Sequence, residues 1–275
     1  MWVDSHCHLD ASELAAHIDA VVARANQALL SGLVIPTVQA SDFQTIAQLA
    51  QKYSAQLPQI AYTLGIHPLF TKTAQESDID YLEECIQSSI SDPRFIGVGE
   101  IGLDYFVTDL DNPKQEWFFE QQLRLAKKFN LPVILHVRRS QDQILKRLRQ
   151  IKVSGGIAHA FNGSEVQAEN YLQLNFKLGF GGAMTYARAL QIRRLATSLP
   201  LASFVLETDS PDIPPAWIKA GDGHCNEPAE LAKIAQVFAE IRNISLEELA
   251  SALHRNLCQA FPRWADLQRS LAVSL

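Results

Sequence analysis

Short apolar runs alternate with longer amphipathic ones along the chain, and this alternation limits the fold more than any other feature. The runs fall at residues 2–5, 33–38, 61–66, 95–99, 133–136, 156–160, 176–179 and 204–208. Between them, apolar residues recur at helical spacing over 12–30, 41–53, 75–88, 113–129, 141–150, 165–174 and 186–198. Two further helical patterns follow the last run, at 228–242 and 246–260. Near-continuous apolar strands separated by helices belong to a parallel sheet covered on both faces. Eight such units in 275 residues predict an α/β fold, a single TIM-like (β/α)8 barrel, with residues 1–275 as one domain. No GxGxxG or phosphate-loop motif follows the first run, which argues against an open nucleotide-binding sheet. Ser12 and Ser41 are expected as helix caps, Pro113 near a first turn, and Ser245 with Glu248 as a capping box.

The barrel reading gives the ionisable residues a common location. Asp4, His6 and His8 end the first run, Glu100 the fourth, His136 the fifth, His159 the sixth and Asp209 the eighth. In a barrel the C-terminal ends of all strands face one rim, so these side chains converge in space. Alternation on a strand makes His6 and His8 project together, with Cys7 pointing away as a packing residue, and puts Glu207 on the face of Asp209, one layer deeper. Packing alone can explain any one of these histidines. Four of the chain's eight histidines gathered with two carboxylates call for a compensating cation, because an apolar core does not hold so many desolvated groups otherwise.

His6, His8, Glu100, His136, His159 and Asp209 are therefore expected to ligate metal. Imidazole and carboxylate without thiolate suit zinc, manganese, iron, cobalt or nickel, and the carboxylates admit magnesium. Six ligands exceed one tetrahedral zinc but fit two divalent ions about 3.5–4 Å apart that share a carboxylate, and Glu100, midway round the rim, is the natural bridge. Asp4 and Glu207 lie beneath the ligands and either accept a histidine N–H or form a buried salt bridge. His67 ends the third run and either meets a substrate anion or caps its loop. Arg138 shares the parity of His136 and should overhang the mouth, where a guanidinium suits a phosphate or carboxylate, or else a rim salt bridge.

The net charge of −6 excludes a basic nucleic-acid coat, since that mode needs an excess of Lys and Arg. A local positive site is still allowed, and two divalent ions against two carboxylates would make one. The first residues lack a basic and then apolar leader, and no stretch approaches about 18 apolar residues, so neither a secretory signal nor a membrane span is expected. Four well-separated cysteines without a CxxC pair suit a reducing cytoplasm. Oligomeric state is open.

These motifs together resemble the TatD-type deoxyribonucleases, a branch of the amidohydrolase-like metallohydrolases. The segments that carry the resemblance are Asp4-Ser5-His6-Cys7-His8, Gly65-Ile66-His67-Pro68, Ile96-Gly97-Val98-Gly99-Glu100-Ile101-Gly102-Leu103-Asp104-Tyr105, His136-Val137-Arg138, His159-Ala160-Phe161-Asn162-Gly163, Glu207-Thr208-Asp209-Ser210-Pro211 and Asn226-Glu227-Pro228. They fall in the family's order along essentially the whole chain. The resemblance implies a dinuclear hydrolase, with zinc, magnesium or manganese, that cleaves phosphodiester bonds in DNA, single-stranded or at an end. It implies that His6, His8 and Asp209 hold one ion, that His136 and His159 hold the other, and that Glu100 is shared. His67 and Arg138 would meet the scissile phosphate, and Asp209 would take the proton of the attacking water. Arg139 stands where the family usually has an acid, and Cys225, after His224, stands where it often has an arginine; both departures bear on substrate choice. Two competing readings are a hydrolase of a cyclic amide, lactone or aminoacyl ester and a non-catalytic partner that retains the metal site. Relatives of the former commonly bridge their ions with a modified lysine, where this chain has Glu100.

Overall fold

Alternate residues of the apolar runs enter two different apolar environments, and this is what makes the runs strands of a rolled sheet. In the computed structural model, which describes residues 1–57, 59–219 and 224–273, the strands are β1 (Trp2–Asp4), β2 (Leu30–Pro36), β3 (Gln59–Leu64), β4 (Phe95–Asp104), β5 (Val133–Arg138), β6 (Gly156–Ala158), β7 (Phe176–Phe180) and β8 (Phe204–Leu206). They form one eight-stranded sheet in sequence order, and every neighbouring pair is parallel. Ser5 N donates to Leu206 O and Asp209 N to His6 O, at 3.0 and 2.9 Å, which draws the end of β8 against the segment after β1. The result is a nearly closed TIM-like (β/α)8 barrel.

Helices run between the strands: α1 (Ser12–Ala15) and α2 (Ile18–Gln27), then α3 (Phe43–Lys52), α4 (Ser77–Ser89), α5 (Asn112–Lys128), α6 (Gln141–Gln150), α7 (Glu165–Gln173) and α8 (Leu190–Ser198). After β8 come α9 (Leu231–Arg242), α10 (Leu246–Ala260) and α11 (Pro262–Val273). Their apolar stripes pack with Leu33, Ile35, Tyr62, Leu64, Val133, Leu135, Leu178 and Phe180 in the large outer core. The opposite strand face carries Val34, Ala61, Ile96, Ile134, Ile157 and Val205, which pack with Phe261, Trp264 and Leu267 at the end of the chain. This second cluster floors the barrel. Two residues further along the same strands stand His136, His159 and Glu207, so the ionisable layer rests on an apolar one.

Several local expectations need correction. The helix expected over 12–30 is broken at Ala16 and His17, and Leu30 already belongs to β2. Ser12 and Ser41 cap nothing: each hydroxyl instead donates to the carboxylate that follows it, Glu13 or Asp42. A short 3-10 turn at Ala40–Asp42 sets the entry to α3. Ser245 does accept from Glu248 N at 3.1 Å, and Pro113 lies in the first turn of α5. A reciprocal capping box joins Ser164 and Gln167, which the sequence reading passed over. That reading also stopped its helices at 260, although Phe261, Trp264, Leu267 and Leu271 recur at the spacing of one helical face.

Among the described residues, no helix is long and apolar enough to cross a membrane. All four cysteines are free, and Cys7 is buried in the outer core with its Sγ 3.2 Å from Ser210 Oγ.

Candidate metal centre

Glu100 was expected at the end of its strand, but β4 continues to Asp104, and Glu100 sits inside it. The pairing with β5 runs Val98 to Val133 and then Ile101 to Leu135, three residues against two, so β4 carries a bulge at residues 99–100. Val98, Ile101 and Leu103 all pack in the outer core. Strict alternation from Val98 would have sent Glu100 the same way. The extra residue re-aims it into the barrel and leaves Gly102 and Asp104 on that inner face as well. Gly102, at φ 154°, lies opposite His136, and a Cβ there would come within 2.0 Å of the His136 carbonyl oxygen. Only glycine allows the two strands to approach so closely at this point.

The two carboxylate oxygens of Glu100 face different histidines. Oε2 lies 3.0 Å from His6 Nε2 and 3.4 Å from His8 Nε2. Oε1 lies 2.8 Å from His159 Nε2, 2.9 Å from His136 Nδ1 and 3.3 Å from His67 Nε2. Asp209 turns its Oδ1 to His6 at 3.4 Å, His8 at 3.7 Å and His159 at 4.0 Å. The structure therefore brings all six expected ligands into one cluster at the mouth. Ligand-type atoms within 4.8 Å of one another form three overlapping groups: His6, His8 and Glu100; His6, His159 and Asp209; and His67, Glu100 and His136.

The third group is the poorest cation site. Leu69 N donates to His67 Nδ1 at 3.2 Å, so the proton of a neutral His67 belongs on Nε2, which then points as a donor at Glu100. Burial pushes the His67 imidazole down to about 4, which keeps it neutral. The other ring nitrogens fit a cation well. His6 Nε2 and His8 Nε2 lie 3.2 Å apart, and His159 Nε2 lies 3.5 Å from His136 Nδ1. Among the described residues, His6 Nδ1, His159 Nδ1 and Glu100 Oε2 are buried without a hydrogen-bond partner. Buried polar atoms are rarely left so, and a donor set of imidazole and carboxylate suits borderline divalent ions.

The charge balance points the same way. Burial alone would raise the Glu100 carboxyl, but the imidazoles of His159, His67 and His6 hold it well below the usual carboxylate range. Burial depresses His6, whereas His8 and His159 resist burial because Glu100 and Asp209 face them, and they rise to about 9 and about 10. Burial raises Asp209 above its ordinary value against the pull of His159 and His8. The cluster draws positive charge to itself.

Neither second-row carboxylate accepts a histidine N–H, and only Glu207 takes the alternative of a buried ion pair, with His159. Asp4 accepts from His6 N, Thr208 N and, at 2.5 Å, Thr208 Oγ1, so it braces two backbone segments and does not hold an imidazole. The chain leaves strand geometry after Asp4, which is why alternation misjudged its direction. Glu207 Oε1 accepts from Ala160 N at 2.5 Å and lies 3.9 Å from His159 Nδ1, beyond hydrogen-bonding reach. The carboxylate that does hold a ligand imidazole is Asp104, whose Oδ2 is 3.1 Å from His136 Nε2. Sequence reasoning gave Asp104 no role, although it stands four residues from Glu100 on an inward face.

Arg138 lies at the rim, half exposed, with its guanidinium 3.8 Å over the Phe106 ring and Nη1 4.0 Å from Asp104 Oδ2. Asn226 Nδ2 donates to Thr208 O at 2.9 Å and to Asp212 O at 2.6 Å, pinning the loop that carries Asp209. Its neighbour Glu227 holds Arg24 of α2 through two bonds of 2.7 and 2.6 Å. Cys225 is exposed.

A family model described as "TatD related DNase" matches residues 3–262. The "Uncharacterized metal-dependent hydrolase YjjV" of Escherichia coli K12 is 36% identical over 261 residues, covering 94% of this chain and 97% of that protein. The mouse protein named "Putative deoxyribonuclease TATDN3" is 30% identical over 276 residues, covering 96% of this chain and 90% of its own length. The crystal structure of E. coli YjjV, a TatD homolog, superposes with a TM-score of 0.87 and covers 95% of this chain and 98% of that one at 35% identity.

Proposed function

The chain belongs to the family of TatD-related DNases, a family of metal-dependent hydrolases, and on that premise we propose that it is a dinuclear phosphodiesterase acting on DNA. One observation carries the reading: the two oxygens of a single buried carboxylate, Glu100, address two separate pairs of imidazoles. His6, His8 and Asp209 would hold one divalent ion, His136 and His159 the other, and Glu100 would be common to both. Zinc, magnesium and manganese are the identities the donors allow. Ions so held would supply Lewis acidity, neutralise phosphoryl oxygens and lower the pKa of a bound water to about 7.

The remaining work belongs to side chains. Asp209 Oδ1, at the mouth and within 4 Å of three ligand imidazoles, accepts the proton of the attacking water and returns it to the leaving oxygen. Asp104 keeps the His136 ring turned toward Glu100. Arg138, half exposed above Asp104, meets a non-bridging phosphoryl oxygen, and the Nε2 proton of His67 serves Glu100 or the bound anion. The name of the mouse relative supports DNA as the substrate.

The test is hydrolysis of a single-stranded oligodeoxynucleotide, with and without zinc, magnesium or manganese, beside a panel of lactones and cyclic amides. Metal-dependent cleavage of the oligonucleotide alone is expected. Turnover confined to the lactone or amide panel would contradict it. Asp209→Asn should lose roughly 10²–10⁴-fold in kcat at saturating metal, whereas Arg138→Ala should act chiefly on KM.

A further inference from the structure

Beside the metal centre, two guanidiniums share one aromatic ring. Phe106 is 44% exposed, and its ring lies 3.8 Å from the Arg138 guanidinium carbon and 4.6 Å from that of Arg139. The backbone that carries the ring is tied to the metal cluster. Asp104, whose Oδ2 faces His136, uses Oδ1 to accept from Phe106 N at 2.8 Å and Val107 N at 3.1 Å. Like charges do not gather at an exposed rim without reason, and the ring's negative face is what lets both cations remain there. One carboxylate, Asp104, approaches Arg138 at 4.0 Å, and among the described residues Arg139 has no ion-pair partner.

We propose that Phe106 and Arg139 form a second anion subsite, which takes the phosphate adjacent to the scissile one on a single-stranded oligonucleotide. The assignment rests on the phosphodiesterase reading above and specifies its substrate as a chain of consecutive phosphates. Arg138, next to Asp104 and His136, serves the reacting phosphate; Arg139, one residue further from His136, serves its neighbour. Cation and aromatic ring together make the usual surface for a flexible strand, with the guanidinium on the backbone and the ring against a base.

The experiment compares wild type, Arg139→Ala and Phe106→Leu on two substrates. One is a single-stranded oligodeoxynucleotide; the other is bis(p-nitrophenyl) phosphate, which has a single phosphate. Arg139→Ala should raise KM for the oligonucleotide on the order of tenfold, leave kcat nearly unchanged and reduce the salt slope by about one. In Arg139→Ala both constants for the small diester should stay at wild-type values; Phe106→Leu, which also loosens Arg138, should raise KM for the oligonucleotide more than for the diester. An unchanged oligonucleotide KM in Arg139→Ala, or an equal loss on both substrates in that variant, would overturn the subsite. Fluorescence anisotropy of a labelled oligonucleotide in EDTA separates the two claims. Binding that weakens in Arg139→Ala supports the subsite even if no diester is cleaved, and that failure of cleavage would fall on the proposed reaction instead.

Discussion

At the scale of single residues, the site is organised by what each side chain can still donate or accept. His67 has its Nδ1 occupied by Leu69 N and is left with a donor, whereas His136 has its Nε2 occupied by Asp104 and is left with Nδ1 toward Glu100. These neighbours decide which imidazoles are fit to be ligands. Asp104→Asn should therefore weaken metal binding about 10–100-fold, measured by competition with a chromogenic chelator, while excess metal restores most of kcat. A structural role alone would not give rescue by metal. The residue types were legible in the sequence because histidines and carboxylates at strand ends are costly to bury for any other purpose. The direction of Asp4 was not, because alternation holds only while the chain is a strand, and β1 ends at Asp4. Asp104 could have been found by counting alternate residues on from Glu100.

At the scale of elements, β4 does the most to shape the mouth. Its bulge supplies the odd residue that brings Glu100, Gly102 and Asp104 onto the inner face, and a bulge depends on pairing with β5 that alternation along one strand does not reveal. Gly102→Ala should force β4 away from β5, lower Tm and reduce metal content together, because its Cβ would meet the carbonyl oxygen of a ligand residue. The floor is a separate matter. Trp264 of α11 is fully buried against Val34, Ile96 and Ile134 at the end of the barrel away from the cluster. Trp264→Ala should cost about 3–5 kcal/mol of stability, read by denaturant unfolding, with kcat of the folded enzyme little altered. The strand and helix order could be read from periodicity because each run is covered on both sides. The floor helix went unseen although Phe261, Trp264, Leu267 and Leu271 recur at helical spacing, because Pro262 marks a break after α10 and the pattern was not followed past it.

At the scale of the whole molecule, the barrel gathers groups from β1, β4, β5, β6 and β8 that have no reason to meet in an unfolded chain. Ions bound by that cluster would hold these strands together and so favour the folded state by mass action. At 100 times the dissociation constant the gain is roughly 2.7 kcal/mol, which for a chain of this size should raise Tm by about 5–10 °C and be reversed by EDTA. The acidic surface implied by the net charge of −6 leaves the mouth as the place for an anionic substrate, so activity should fall with salt through Arg138 and Arg139 without a broad basic face. The most direct test of the centre itself is anomalous diffraction from crystals grown with zinc or manganese, with element analysis of the same protein. Two peaks are expected, one beside Glu100 Oε2 with His6 and His8 and one beside Glu100 Oε1 with His136 and His159, at two ions per chain. A single peak, or two peaks of which one lies away from Glu100, would contradict a shared carboxylate and the dinuclear hydrolase built on it.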